Sequence, residues 1–303
     1  MTTSRNIMEL RPDKCPITGE TEARRVFVYE RRPEGEVAFP IKRNDCYYRE
    51  IWQFWPSGHY VSRHSMEIEH GYSSDYLTNT YGDYEGLHQR FMAIRELPEE
   101  MSDNHGRVKA IINVAQSRLN NPGRLAVMDI GSGIGIFPYS IEALGWSCLA
   151  LDLDPRAVSH LNDQLGIRAI CTELTGDRDL GLFDIISFNK VLEHVVDPIG
   201  QLRVAGQYLS PSSFVYIEVP DGEMAERHGP IREEFFVEHH HVFSVRSVIS
   251  LIQGAGLEVV SIERLMEPST KYTIRAFCTL SAVQGSQEPS GRVSGPSSEA
   301  DKK

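Results

Sequence analysis

The chain has 303 residues, 41% hydrophobic and 24% charged, with a formal net charge of -11. That is an ordinary globular balance, sufficient for one large domain or two modest ones. The acidity speaks against a nucleic-acid partner, because binding to phosphates needs a basic surface that releases counterions.

No apolar run reaches the roughly 18 residues of a membrane span, and Met1–Lys14 lacks the apolar stretch of a secretory signal. The five cysteines, Cys15, Cys46, Cys148, Cys171 and Cys278, are odd in number and widely spaced. They read as free thiols, so a cytoplasmic location is expected. Residues 1–60 read as a small, partly β N-terminal module. Residues 61–122 read as a helical linker or lid, with Leu87, Phe91, Ile94 and Leu97 at helical spacing, then Val108, Ile111 and Ile112. Pro122-Gly123 breaks the chain.

Residues 123–280 then alternate between two periodicities. Strands are expected at Leu125–Ile130, Ser147–Leu153, Ile167–Cys171, Phe183–Asn189 and Ser213–Val219, and late ones near 257–265 and 272–280. Helices are expected at Ile134–Leu144, from Pro155, at Ile199–Leu209 and at Ser244–Ala255. The alternation predicts an α/β fold, a mainly parallel sheet covered on both faces. Residues 281–303, rich in Ser, Gly, Pro and Glu, are expected to be a disordered tail.

The most informative stretch is Val127-Met-Asp-Ile-Gly-Ser-Gly-Ile-Gly135. Gly131 and Gly133 would allow a tight turn and close approach of the backbone to a ligand. Asp152, 21 residues past Gly131 at the end of the next strand, suits a carboxylate that accepts from ribose hydroxyls. The layout could serve a nicotinamide dinucleotide or a sulfonium nucleoside. Asp129, just before the glycines, would crowd a pyrophosphate and suit a cationic ligand.

The stretch resembles the first motif of class I S-adenosylmethionine-dependent methyltransferases. Phe183–Pro198 resembles their fourth-strand motif, and Ser213–Gly222 their fifth strand. The resemblance implies a Rossmann-like seven-stranded, mostly parallel sheet with an antiparallel last strand, and S-adenosylmethionine as cofactor. It implies that Asp129, Gly131 and Gly133 line the methionine end, that Asp152 holds the ribose, and that Leu153 flanks the adenine. Asn189 and Lys190 would close the pocket, with a further adenine contact among Cys171, Thr172 and Glu173.

Two histidine clusters compete for the acceptor chemistry, which needs a base near neutral pKa if a hydroxyl or carbon acid is methylated. One is Glu193-His194, after the fourth strand. The other is Phe236-Val-Glu-His-His-His-Val-Phe-Ser244. Three consecutive histidines cannot all face one ion in regular structure. The second segment resembles the Glu-His motif of bacterial sugar C-methyltransferases, matching Glu238 and His239, with Val242 where a tyrosine is usual. His239 is therefore the expected base, oriented by Glu238, with His194 as the alternative. The same relatives carry an N-terminal zinc module. Cys15-Pro-Ile-Thr-Gly19 resembles half a knuckle with Thr18 in place of the second cysteine, so no metal site is expected. Tyr72–Tyr76 and Tyr81–Tyr84 resemble a segment that lies over the cofactor. The expected acceptor is a polar small molecule such as a sugar, nucleotide sugar or glycan. The rivals are an NAD-dependent sugar oxidoreductase and a non-catalytic S-adenosylmethionine-binding module.

Overall fold

The computed structural model describes residues 10–39, 41, 46–67, 84–119 and 122–281. The tail after Ser281, Tyr72–Tyr76 and Tyr81 lie outside the described residues.

Three strands open the chain: β1 (Ala23–Tyr29), β2 (Arg49–Phe54) and β3 (Tyr60–His64), paired antiparallel in that order. The sheet takes its fourth strand from far downstream, where β9 (His241–Val242) pairs with Tyr60 and Val61. The expected boundary at residue 60 therefore falls inside a strand, and the N-terminal module is completed by the rest of the chain. Arg49 is fully buried beneath this sheet. It bonds to Glu36 at 2.9 Å and to the Phe235 carbonyl at 2.5 Å, and its guanidinium stacks 4.2 Å from the Tyr29 ring centroid.

The helical region resolves into α1 (Tyr84–Arg95) and α2 (Asp103–Arg118), the latter capped by Ser102, which accepts from the His105 amide. Then come β4 (Ala126–Ile130), α3 (Ile136–Ala143), β5 (Ser147–Asp152), α4 (Pro155–Ser159), β6 (Ala169–Cys171) and β7 (Phe183–Asn189). They are followed by α5 (Pro198–Gly206), β8 (Leu209–Pro220), α6 (Gly222–Glu226), α7 (Val245–Gly254), β10 (Leu257–Met266) and β11 (Tyr272–Leu280). Ser244 caps α7 in a reciprocal pair with Ser247.

Among the described residues the main sheet has seven strands in the order β10-β11-β8-β7-β4-β5-β6. Pairings from β6 through β8 are parallel, and β11 runs antiparallel to both neighbours. The Rossmann-like arrangement with an antiparallel last strand is thus present. Alternation along β4 sends Val127 into a layer with Ile111 of α2 and Phe137 of α3, and Met128 into the opposite layer with Leu202 of α5 and Leu251 of α7. Both faces of the central strands are covered, as parallel strands require. Strand order reverses between β4 and β7, and ligands of such sheets collect beyond the carboxyl ends of strands at that reversal.

One polar network crosses the helix-to-sheet boundary. Arg107 of α2 reaches Glu218 of β8 at 2.5 and 3.0 Å, and Arg275 of β11 reaches the other carboxylate oxygen at 3.1 Å. Tyr216 also donates to Glu218. Burial alone would raise the Glu218 pKa, but Arg107, Lys190 and Arg275 outweigh it and hold the carboxyl at about 2.

Candidate active site

The turn after β4 uses its three glycines for different reasons. Gly131 (φ +66) would drive a Cβ to 2.6 Å from Val191, and Gly135 (φ +85) would drive one to 2.7 Å from Leu161. Gly133 (φ +51) has no atom within 4 Å of its would-be Cβ, so it fronts open space. That is where a ligand can approach the backbone. Asp152, at the end of β5, accepts from the Gly133 amide at 2.7 Å and the Asp154 amide at 2.9 Å. Burial raises its pKa, and the amide bonds oppose the rise. Beside it, Leu153 is an apolar side chain left 51% exposed at the strand end. It presents an apolar face next to the Asp152 carboxylate.

Two residues expected in this pocket sit elsewhere. Asp129 is 1% exposed, behind the turn rather than on its surface. Its carboxylate accepts from Ser187 at 2.5 Å and from the Asn189 amide at 2.9 Å, and burial raises its pKa to about 6. Asp129 therefore fixes Asn189. The Asn189 carbonyl oxygen is buried with no hydrogen-bond partner among the described residues, a ready acceptor for an ammonium group. Lys190 does not close the pocket either. Its backbone is left-handed (φ +59), and its ammonium donates to Thr273 of β11 at 2.6 Å.

Across from the turn the chain makes a single 3-10 turn, Leu192–His194. It is tied to the downstream loop by the His240 amide, which donates to the Glu193 carbonyl at 2.8 Å. The two histidine clusters of the sequence are thereby one cluster. The His194 and His239 ring centroids are 4.9 Å apart, and Glu193, His194 and His239 bring ligand-type atoms within 4.8 Å of one another. Burial holds His194 down at about 4. Burial and His194 hold His239 well below the usual range, so both rings are neutral at pH 7.

Glu238 is not the carboxylate beside His239. His194 donates through Nδ1 to the Glu238 backbone carbonyl at 2.9 Å, while the Glu238 side chain lies in the field of Glu36, Arg49 and Glu233. Glu193 is the carboxylate that groups with the two histidines. Burial raises the Glu238 pKa from 4.5 to about 7. A carboxyl with a raised folded pKa stabilises fully below the unfolded pKa and loses that contribution as pH rises through the folded value. At about 1.4 kcal/mol per pH unit, ionised Glu238 should cost about 3 kcal/mol near pH 8. Glu238→Gln should therefore be more stable than the parent by about 2–3 kcal/mol at pH 8 and nearly equal at pH 5. Urea unfolding at the two pH values checks this, and an equal difference at both would refute it.

The zinc-like knuckle is held by its own backbone. Cys15 is buried and its sulfur accepts from the Thr18 amide at 3.4 Å, whereas Cys46 is exposed. His59 faces His241, with ring nitrogens 3.1 Å apart. Val242 is fully buried in β9.

A methyltransferase-domain family model matches residues 86–262, more than half of the chain. The chain belongs to this methyltransferase family. The methyltransferase is 29% identical over 100 residues to a ubiquinone biosynthesis O-methyltransferase of Caulobacter vibrioides, covering 31% of this chain and 40% of that one. It is 28% identical over 134 residues to the protein of that name from Nitrosococcus oceani, covering 40% of this chain and 57% of that one. The matches thus span about half the length of these relatives. Magnesium protoporphyrin IX methyltransferase from Synechocystis, solved with S-adenosylhomocysteine, shares the fold at TM-score 0.51 and 12% identity. That match covers 68% of this chain and 97% of that structure. Among the described residues no helix of the methyltransferase is long and apolar enough to cross a membrane.

Two parts of the site were not foreseen: Glu193 as the carboxylate of the histidine cluster, and Arg107 on the buried Glu218. Glu193 had a signal, its position beside His194. Arg107 had none, since its partner lies 111 residues away.

Proposed function

We propose that this methyltransferase transfers the methyl group of S-adenosylmethionine to a hydroxyl oxygen of a polar small molecule. One observation carries the proposal: the Glu193–His194–His239 cluster stands next to the glycine turn, with Val191 packed against Gly131 two residues before Glu193.

Asp152 would hold the ribose, Leu153 would cover the adenine, Asn189 would accept from the amino group, and Gly133 would let the nucleoside approach. The bound cofactor supplies a methyl group already activated by its sulfonium. The chain's remaining tasks are to align the acceptor and remove its proton. His239 is fixed by its Nδ1 donating to the Glu234 carbonyl at 2.8 Å, which leaves the lone pair on Nε2 to take that proton. The O-methyltransferase name of the relatives supports oxygen over carbon as the acceptor atom. It also sets hydroxylated aromatics beside the nucleotide sugars and glycans that the Glu-His resemblance suggests.

Asp152→Ala should weaken S-adenosylhomocysteine binding by about 1.5–3 kcal/mol, read by calorimetry. Unchanged affinity would remove Asp152 from the pocket. The reaction itself is tested by a screen with labelled cofactor against hydroxylated aromatics, nucleotide sugars and glycan fragments. Label recovered as a methyl ether supports the proposal. Cofactor binding with label found only on carbon or nitrogen refutes it.

A further inference from the structure

The segment that carries His239 is held on both sides by the N-terminal module. Ahead of it, three contacts cross from that module. Tyr29 donates its hydroxyl to the Pro230 carbonyl at 2.7 Å, Arg49 donates to the Phe235 carbonyl at 2.5 Å, and the Glu36 carboxylate accepts from the Val237 amide at 2.7 Å. Behind it, the Ser62 amide donates to the His240 carbonyl at 3.2 Å, and His241–Val242 then join the sheet as β9. The Phe235 ring adds T-shaped contacts to Phe27 and Tyr60, with centroids 5.2 and 5.6 Å apart.

Arg49 and Glu36 act on this segment as one fork. They pair at 2.9 Å with both side chains fully buried, and they take a carbonyl and an amide two residues apart. Tyr47 fixes the fork, donating to Glu36 at 2.5 Å and accepting from Arg49 at 3.1 Å. A buried ion pair is a poor source of stability, since apolar residues of similar volume often serve as well; its best-attested use is to fix one arrangement among several. The arrangement fixed here reaches the His239 ring. In the 3-10 turn Glu233–Phe235 the middle residue, Glu234, gives its carbonyl to His239 Nδ1 at 2.8 Å, and the His239 amide donates to the Phe236 carbonyl at 3.0 Å. A carbonyl only accepts, so Nδ1 carries the proton and the lone pair falls on Nε2. The Glu234 side chain is tied to the main sheet, accepting from Arg232 at 2.6 and 2.9 Å and from the Tyr272 amide of β11 at 2.7 Å. The turn is thus gripped from two sides, and the N-terminal module supplies one of them.

We propose that the buried Arg49–Glu36 pair is a positioning device for the base: it fixes Phe235–Val237 so that the Glu234 carbonyl holds His239 in the one tautomer able to take a proton at Nε2. The role rests on His239 being the base of the O-methyltransferase reading. The pair touches neither acceptor nor cofactor, and its effect passes through the backbone of the turn. Once the fork is gone, the ring can exchange to the tautomer with its proton on Nε2. In that form it meets the acceptor hydroxyl as a donor and cannot remove a proton.

The test compares the full-length parent with the paired variant Arg49→Met, Glu36→Leu. Both charges are removed together because Arg49→Met alone would strand a buried carboxylate. The readouts are the single-turnover rate with the acceptor that the labelled-cofactor screen returns, S-adenosylhomocysteine affinity, and the His239 ring nitrogens. The last are followed in nitrogen–proton correlation spectra of histidine-labelled chain, assigned by the signal missing from His239→Ala. The paired variant should slow methyl transfer by about 10²-fold, the cost of misplacing a reacting group by about 1 Å, with S-adenosylhomocysteine affinity unchanged. Its His239 signal should pass from the single Nδ1-protonated form to a mixture of tautomers. Arg24→Ala, on the same sheet but exposed and paired with Glu226, should change none of the three. A paired variant with the parent rate or the parent His239 signal overturns the positioning role, as does Arg24→Ala moving that signal alike. S-adenosylhomocysteine affinity that falls in step with the rate also overturns it, because the pair would then support the whole fold. The tautomer is read without turnover. A parent that yields no methyl ether therefore sinks the O-methyltransferase reading alone, while the His239 spectrum still decides what the pair does.

Discussion

His239→Ala is expected to slow the methyl-transfer step by about 10²–10⁴, the contribution of a positioned acid–base group, with S-adenosylhomocysteine affinity unchanged. The separation of the two effects follows from where the residues sit. The cofactor side is built by the turn after β4, by Asp152 and by Asn189, none of which bonds to His239. The acceptor side is built by Leu192–His194 and the loop carrying His239, joined by the His240 amide on the Glu193 carbonyl. Glu193→Gln should fall in the same range, because Glu193 shares the cluster. Glu238→Gln should leave turnover near normal, because its carboxylate faces the N-terminal sheet. Single-turnover kinetics on the three variants decides this, and a slow Glu238→Gln beside a normal Glu193→Gln would reverse the assignment.

The largest effect on stability is expected at Arg107. Removing one partner of a buried ion pair leaves an uncompensated charge, at a cost of about 3–5 kcal/mol. Arg107 is the strongest partner of Glu218, and only the Arg275 ion pair and the charge of Lys190 would remain to offset that carboxylate. Arg107→Met should therefore lose about 3–5 kcal/mol in urea unfolding at pH 7, and Arg107→Met with Glu218→Gln should recover much of it. The pH dependence follows from the sign of the shift. The folded pKa of Glu218, about 2, lies below the usual carboxylate value, so its contribution is present above pH 4.5 and fades as pH falls toward 2. The gap between parent and Arg107→Met should narrow over that interval. A constant gap would mean that the loss comes from packing of the arginine stem.

What the sequence revealed and what it hid divide along the range of the interactions. The turn at Gly131–Gly135 and the placement of Asp152 are local, and strand periodicity on either side was enough to position them. The order of βα units gave the parallel core, since each helix packs beside its own strands. β9 was hidden because two residues, His241 and Val242, carry no periodicity, and their partner β3 lies 180 positions earlier. The direction of Lys190 was hidden because a single left-handed backbone residue turns its side chain toward β11. Glu238 and Glu193 were exchanged for a similar reason. Neighbours in sequence need not share a side, and the fold brought the more distant carboxylate to the histidine.

The most direct test is the product formed from trideuteromethyl-labelled S-adenosylmethionine and a hydroxylated acceptor that yields turnover. A labelled methyl ether is expected in equal amount with S-adenosylhomocysteine, and it should be lost in His239→Ala although that variant still binds the cofactor. Label attached to carbon or nitrogen, or undiminished ether formation by His239→Ala, would contradict it.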